Sequence, residues 1–102
     1  VALGALAVIP GMSVTINVPR AGTISIQGNV NVITDKDAFV YVYLDGALVG
    51  PGFYTSVVNA WNNIPVFVMR NVTPGNHTVT LRGFANGSTA RVGSRVLTVM
   101  AF

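Results

Sequence analysis

Apolar and polar positions alternate along this chain in short runs of period two, and each run ends at a turn signal. Met12, Val14, Ile16 and Val18 interleave with Ser13, Thr15 and Asn17, the pattern of a strand with one buried face. Pro19-Arg20-Ala21-Gly22 closes that run, since proline cannot donate to a strand ladder. Residues 23–33 place Ile24, Ile26, Val30 and Val32 on one side. Residues 38–44 differ: Phe39, Tyr41 and Tyr43 occupy one face and Val40, Val42 and Leu44 the other, so both faces ask for cover. Residues 77–84 put Val79 and Leu81 inward and Thr78, Thr80 and Arg82 outward. The last run sets Leu97, Val99 and Ala101 against Val96, Thr98, Met100 and Phe102. Asp45-Gly46 and Asn86-Gly87 read as hairpin turns, and Val72-Thr73-Pro74-Gly75-Asn76 as a further turn.

No stretch of ten or more residues carries the three-and-four spacing of a helix face. The pattern therefore predicts about eight to ten short strands and essentially no helix. The fold class that follows is all-β: an antiparallel two-sheet β-sandwich of jelly-roll type. Residues 1–102 make a single domain, with residues 1–9 an N-terminal arm or first strand. Its expected core is Val14, Ile16, Ile26, Val40, Val42, Val79, Leu81, Leu97 and Val99. Residues 53–58 and 66–69 read as shorter strands, separated by a loop over 59–63.

Composition adds a second constraint. Hydrophobic residues make up 51% of the chain and charged residues 9%, against roughly 25% charged in an ordinary soluble domain. Sheet outer faces must then carry apolar side chains, and such faces are usually covered by an assembly. The terminal strand has no charge after Arg95, although edge strands normally use charge to block pairing. A homotrimer is expected, with Tyr41, Tyr43, Val96, Met100 and Phe102 lining its interface. The net charge of +3 comes from scattered Arg and Lys, without the clustered patch of a nucleic-acid binder. No apolar run approaches the ~18 residues of a membrane span. Neither nucleic acid nor membrane is expected as a partner.

Catalytic chemistry has little to draw on. The acids are Asp35, Asp37 and Asp45, with one histidine, His77, and no cysteine. That inventory leaves zinc without a protein ligand set; no metal, no cofactor and no enzymatic activity are expected. His77 reads as a structural or surface histidine. Asp35-Lys36-Asp37 reads as a polar hairpin tip, having too few oxygens for Ca²⁺. Asn71-Val72-Thr73, Asn76-His77-Thr78 and Asn86-Gly87-Ser88 match the N-glycosylation pattern, yet all three lie at turns where Asn is common. Trp61, Tyr41, Tyr43 and Tyr54 form either a sugar-stacking platform or, as favoured here, core and interface positions.

The C-terminal third, with Val72-Thr73-Pro74-Gly75-Asn76-His77-Thr78-Val79-Thr80-Leu81-Arg82, Gly87-Ser88-Thr89-Ala90 and Arg95-Val96-Leu97-Thr98-Val99, resembles the end of small jelly-roll domains in tailed-bacteriophage structural proteins. Ile9-Pro10-Gly11-Met12-Ser13-Val14-Thr15 is similar to the first strand of such modules. Those domains share their fold with the tumour necrosis factor and complement globular-head superfamily. The resemblance implies a capsid decoration (cement) protein on the outer capsid surface of a virion. Its partners would be copies of itself and a major capsid protein, and Val1, Leu3, Leu6 and Ile9 would reach the shell. With no repetitive shaft ahead of the domain, a tail-fibre head ranks second, together with a receptor- or carbohydrate-binding head domain.

Overall fold

In the computed structural model, which describes residues 7–86 and 90–102, eight strands form two antiparallel sheets packed face to face, with no helix among the described residues. The strands are β1 (Ala7–Val18), β2 (Gly22–Thr34), β3 (Ala38–Leu44), β4 (Ala47–Leu48), β5 (Phe53–Thr55), β6 (Asn62–Val72), β7 (Gly75–Ala85) and β8 (Ala90–Ala101). The first sheet runs β1-β7-β3, with β4 and β5 both pairing along the far edge of β3. The second runs β6-β2-β8. This is the jelly-roll-type sandwich that the alternation predicts.

The core forms where the two inner faces meet. Ile24, Ile26, Val30 and Val32 of β2, Val40 and Val42 of β3, Ile64 of β6 and Val79 and Leu81 of β7 are all fully buried. Sheets packed about 10 Å apart interdigitate such side chains, and that burial is the main stabilising term. Ile16, Leu97 and Val99 are only partly buried but pack against this core, while Val14 is half-buried. All four lie on β1 or β8, each at the end of a sheet order, where an inward side chain is covered from one side only.

The register of β1 supplies a correction. The β1–β7 pairing shifts between Val8 and Ser13, and an extra residue in a strand reverses which side chains face inward. Ile9 and Met12, three apart, are therefore both buried, and Ile9 is fully enclosed. Ile9 is a core residue, not a shell contact on a free arm. Val1, Leu3 and Leu6 lie outside the described residues.

Asp45 and Gly46 both take positive φ, 52° and 85°, and close a two-residue hairpin between Leu44 and Ala47. That is the geometry the Asp-Gly pair predicts. β6 begins earlier than its apolar run suggests and passes through Pro65, which pairs with Asn29. Proline is tolerated there because β6 is an edge strand with one neighbour.

Candidate functional site

Trp61 is the exposed aromatic most clearly built into a concavity. It follows Asn59, whose φ of 58° bends the chain sharply, a conformation Asn tolerates better than most residues. Three contacts hold the bend. The Asn59 backbone N–H donates to the Thr34 carbonyl at 2.7 Å. The Asn62 side-chain amide donates to the Ala60 carbonyl at 3.2 Å and to the Val32 carbonyl at 3.4 Å. The indole then lies on the backbone of Gly93 in β8, where an added Cβ would sit 2.9 Å from the ring. Only glycine permits that approach.

The ring remains 52% exposed, and beside it opens a cleft of about 360 Å³ lined by Ile33, Thr34, Asn59, Trp61 and Arg91. That volume is at the lower end for small-molecule sites, ~300–1,000 Å³. The Thr34 hydroxyl is engaged, donating to the Lys36 carbonyl at 2.6 Å and accepting from its N–H at 3.2 Å. The other polar residues that line the cleft are Asn59 and Arg91. An apolar ring, an amide that donates and accepts, and a five-donor fork suit a ligand with one C–H-rich face and adjacent hydroxyls.

The tyrosines grouped with Trp61 in the sequence lie elsewhere. Tyr41, Tyr43 and Tyr54 share the outer face of the first sheet with Phe39 and Phe84. Phe39 is the hub of this cluster, stacked on Tyr41 with centroids 6.2 Å apart and tilted against Tyr54 at 5.8 Å and Phe84 at 6.3 Å. The Arg82 guanidinium sits 4.2 Å from the Tyr43 ring centroid, a cation–π contact. Towards β1 the same face becomes a polar ladder. Ser13 meets Thr80 at 3.3 Å, Thr15 meets Thr78 at 3.0 Å, and Asn17 donates to Asn76 at 2.9 Å.

Val96 and Met100 lie instead on the outer side of the second sheet, across β2 from Phe67 and Met69 of β6, and Phe102 follows the end of β8, lining a hollow with Pro19 and Arg20. The five residues expected at one interface are thus divided between opposite sides of the sandwich.

His77 is buried, and both ring nitrogens face acceptors. Nδ1 lies 2.6 Å from Asp45 Oδ2, and Nε2 lies 2.6 Å from the Thr73 carbonyl. The hydrogen bond to Asp45, then that to Thr73, holds its pKa above the ordinary histidine value. The hydrogen bond from His77, then that from the Thr78 N–H, holds Asp45 below the usual carboxylate range. With its second nitrogen on a backbone carbonyl, this histidine is placed to tie the β3–β4 turn to the start of β7, not to activate a hydroxyl. The Asp35-Asp37 turn is likewise held by its own chain: Thr34 caps Lys36, and the Asp37 carbonyl accepts from Asn86 N–H at 3.0 Å. Of the three Asn motifs, Asn71 accepts from Thr23 Oγ1 at 2.9 Å and Asn76 from Asn17; the Asn86 motif extends outside the described residues.

No family model and no curated protein sequence matches the chain. Solved structures do. A C-terminal domain of EclA, described as a sugar-binding protein, aligns over 94% of this chain and 70% of its own, at TM-score 0.55 and 14% identity. A family 35 carbohydrate-binding module from Clostridium thermocellum aligns over 100% of this chain and 98% of its own, at TM-score 0.54 and 15% identity. The chain therefore has the β-sandwich fold of carbohydrate-binding-module-like domains. No link to phage or capsid proteins emerges from these comparisons.

Proposed function

We propose that this domain is a carbohydrate-binding module whose site is the Trp61 cleft. The observation that carries the reading is an exposed indole, fixed on Gly93 and opening onto a cleft with Asn59 and Arg91. A sugar ring presents C–H groups on one face and hydroxyls around its rim. Trp61 would cover the face, while Arg91 and Asn59 would bond two rim hydroxyls. Because the loop is pinned by Asn59, Asn62 and Gly93, little ordering is left for the ligand to impose. The sugar-binding descriptions of two proteins with the same fold support this reading.

It displaces capsid decoration as the first reading, which rested on short strand motifs that any sandwich of this kind can carry. A carbohydrate-binding head domain is the alternative the sequence offers, and the Trp61 cleft supports it. Glycan-array screening followed by calorimetry tests it. Wild type should bind at least one glycan class, and Trp61→Ala should lose at least tenfold in affinity without a change in the circular dichroism spectrum. Unchanged affinity in Trp61→Ala would move the site elsewhere. Absence of binding across the array would remove the reading.

A further inference from the structure

The outer side of the second sheet has a shape of its own. Its middle strand, β2, presents a floor of Ser25, Gln27 and Asn29, flanked in register by Met69, Phe67 and Pro65 on β6 and by Met100, Thr98 and Val96 on β8. Directly paired residues point to the same side of a sheet, so these rows form a polar trough between two mainly apolar ridges. Phe67 is 55% exposed, Met69 47%, Val96 52%, Met100 45% and Phe102 69%. None of the residues in these rows is charged.

We infer that this face binds a second copy of the same chain across a two-fold axis passing near Gln27. Three observations support that occupant. The first is area: Phe67, Met69, Val96 and Met100, with Phe102 just past the end of β8, are each about half exposed or more and together offer on the order of 500 Å² of apolar surface, taking the lower part of the ~150–250 Å² aromatic range for each whole side chain. With the intervening Thr98, Pro65, Gln27 and Asn29, the face approaches the ~800 Å² per partner of a standard interface. The second is electrostatic: rows that carry no charge meet their own image without repulsion. The third is chemical: hydroxyls and amides each donate and accept. Gln27 and Asn29 are the exposed residues of the floor, and a two-fold axis can therefore set Gln27 against Gln27 with donors on acceptors.

Face-to-face packing of these rows uses them on one partner and leaves none for a third copy. The inferred state is thus a dimer, where the sequence led to an expected trimer. It shares no residue with the sugar reading: the Trp61 cleft, with the paired Ile33 and Arg91 in its lining, lies on the same side of the sheet but beyond the Asn29 end of these rows. If both hold, the dimer presents two clefts and binds multivalent glycans with avidity.

Sedimentation equilibrium and cysteine cross-linking test the inference together. At about 50 µM, a concentration suited to micromolar self-association, wild type should sediment as a dimer. Phe67→Asp and Met100→Asp should be monomeric with unchanged circular dichroism, and Tyr54→Asp, on the opposite side, should remain dimeric. The chain has no cysteine, so Gln27→Cys should give a covalent dimer on mild oxidation, and Tyr54→Cys should not. A wild-type monomer, a trimer, or equal cross-linking at positions 27 and 54 would each overturn the inference. So would a monomer that binds an apolar dye on this face, since that would show the face open.

Discussion

The two outer faces of this sandwich come from the same alternation and end in opposite conditions. On the first sheet the outward side chains are engaged with each other: hydroxyl on hydroxyl, amide on amide, Arg82 over Tyr43, and three rings around Phe39. On the second sheet the outward row alternates apolar ridge and polar floor, with Phe67, Met69, Val96 and Met100 about half exposed. The comparison teaches that a shortage of charge need not leave a face unfinished. Polar ladders and ring clusters can complete one face from within, while the other still lacks a cover.

Substitutions separate the two faces by size of effect. Leu81→Ala, at a fully buried position between the sheets, should cost about 2–5 kcal/mol in urea unfolding and weaken both sheets together. Phe39→Ala removes a half-buried ring and three ring contacts, and should cost about 2 kcal/mol. Phe67→Ala, measured in dilute monomer, should cost less than about 0.5 kcal/mol, as for a largely exposed surface position. If Phe67→Ala destabilises the monomer as much as Phe39→Ala, the contrast between the faces fails. Thr15→Ala, which breaks one rung of the exposed ladder, should cost a few tenths of a kcal/mol, in the ~0.2–1 kcal/mol range for cross-strand pairs.

The smallest effect concerns pH and the His77–Asp45 pair. His77 is raised above 6.5 in the folded state, so its stabilisation is complete below that value and is lost as pH rises through the raised folded value. Asp45 is lowered below 3.8, so its contribution is complete above that value and is lost as pH falls through the lowered one. The denaturation midpoint should therefore be highest between these limits, and His77→Gln should flatten the decline on the alkaline side. An equal alkaline decline in His77→Gln would assign it to another group.

Much of the fold was legible in local pattern. The positions of Ile24, Ile26, Val30 and Val32 and the Asp45-Gly46 turn follow from period two and from backbone sterics, both of which act over a few residues. Ile9 falls in the core and not on an arm because a register shift between Val8 and Ser13 reverses the alternation; the local signal for it is Pro10-Gly11, with Gly11 at φ 78°. The site was less legible still. Trp61 was visible as a large aromatic, but its setting depends on Gly93, 32 positions away in sequence, and on the left-handed turn at Asn59. Grouping it with Tyr41, Tyr43 and Tyr54 followed residue type, whereas the topology sends those tyrosines to another surface. In sequence Asp45 shows only as a turn residue, because its bond to His77 joins β7 to a turn that precedes it by 32 residues.

The central claim is that the Trp61 cleft takes a sugar, and the chain carries its own reporter, since Trp61 is its only tryptophan. Intrinsic fluorescence titrated with the glycan class selected on the array should show a saturable change in intensity or emission maximum. Gly93→Ala, which pushes a methyl group against the indole, should shift the starting spectrum and weaken the titration at least tenfold. A glycan that binds by calorimetry while leaving Trp61 emission unchanged, or a Gly93→Ala variant that binds like wild type, would contradict it.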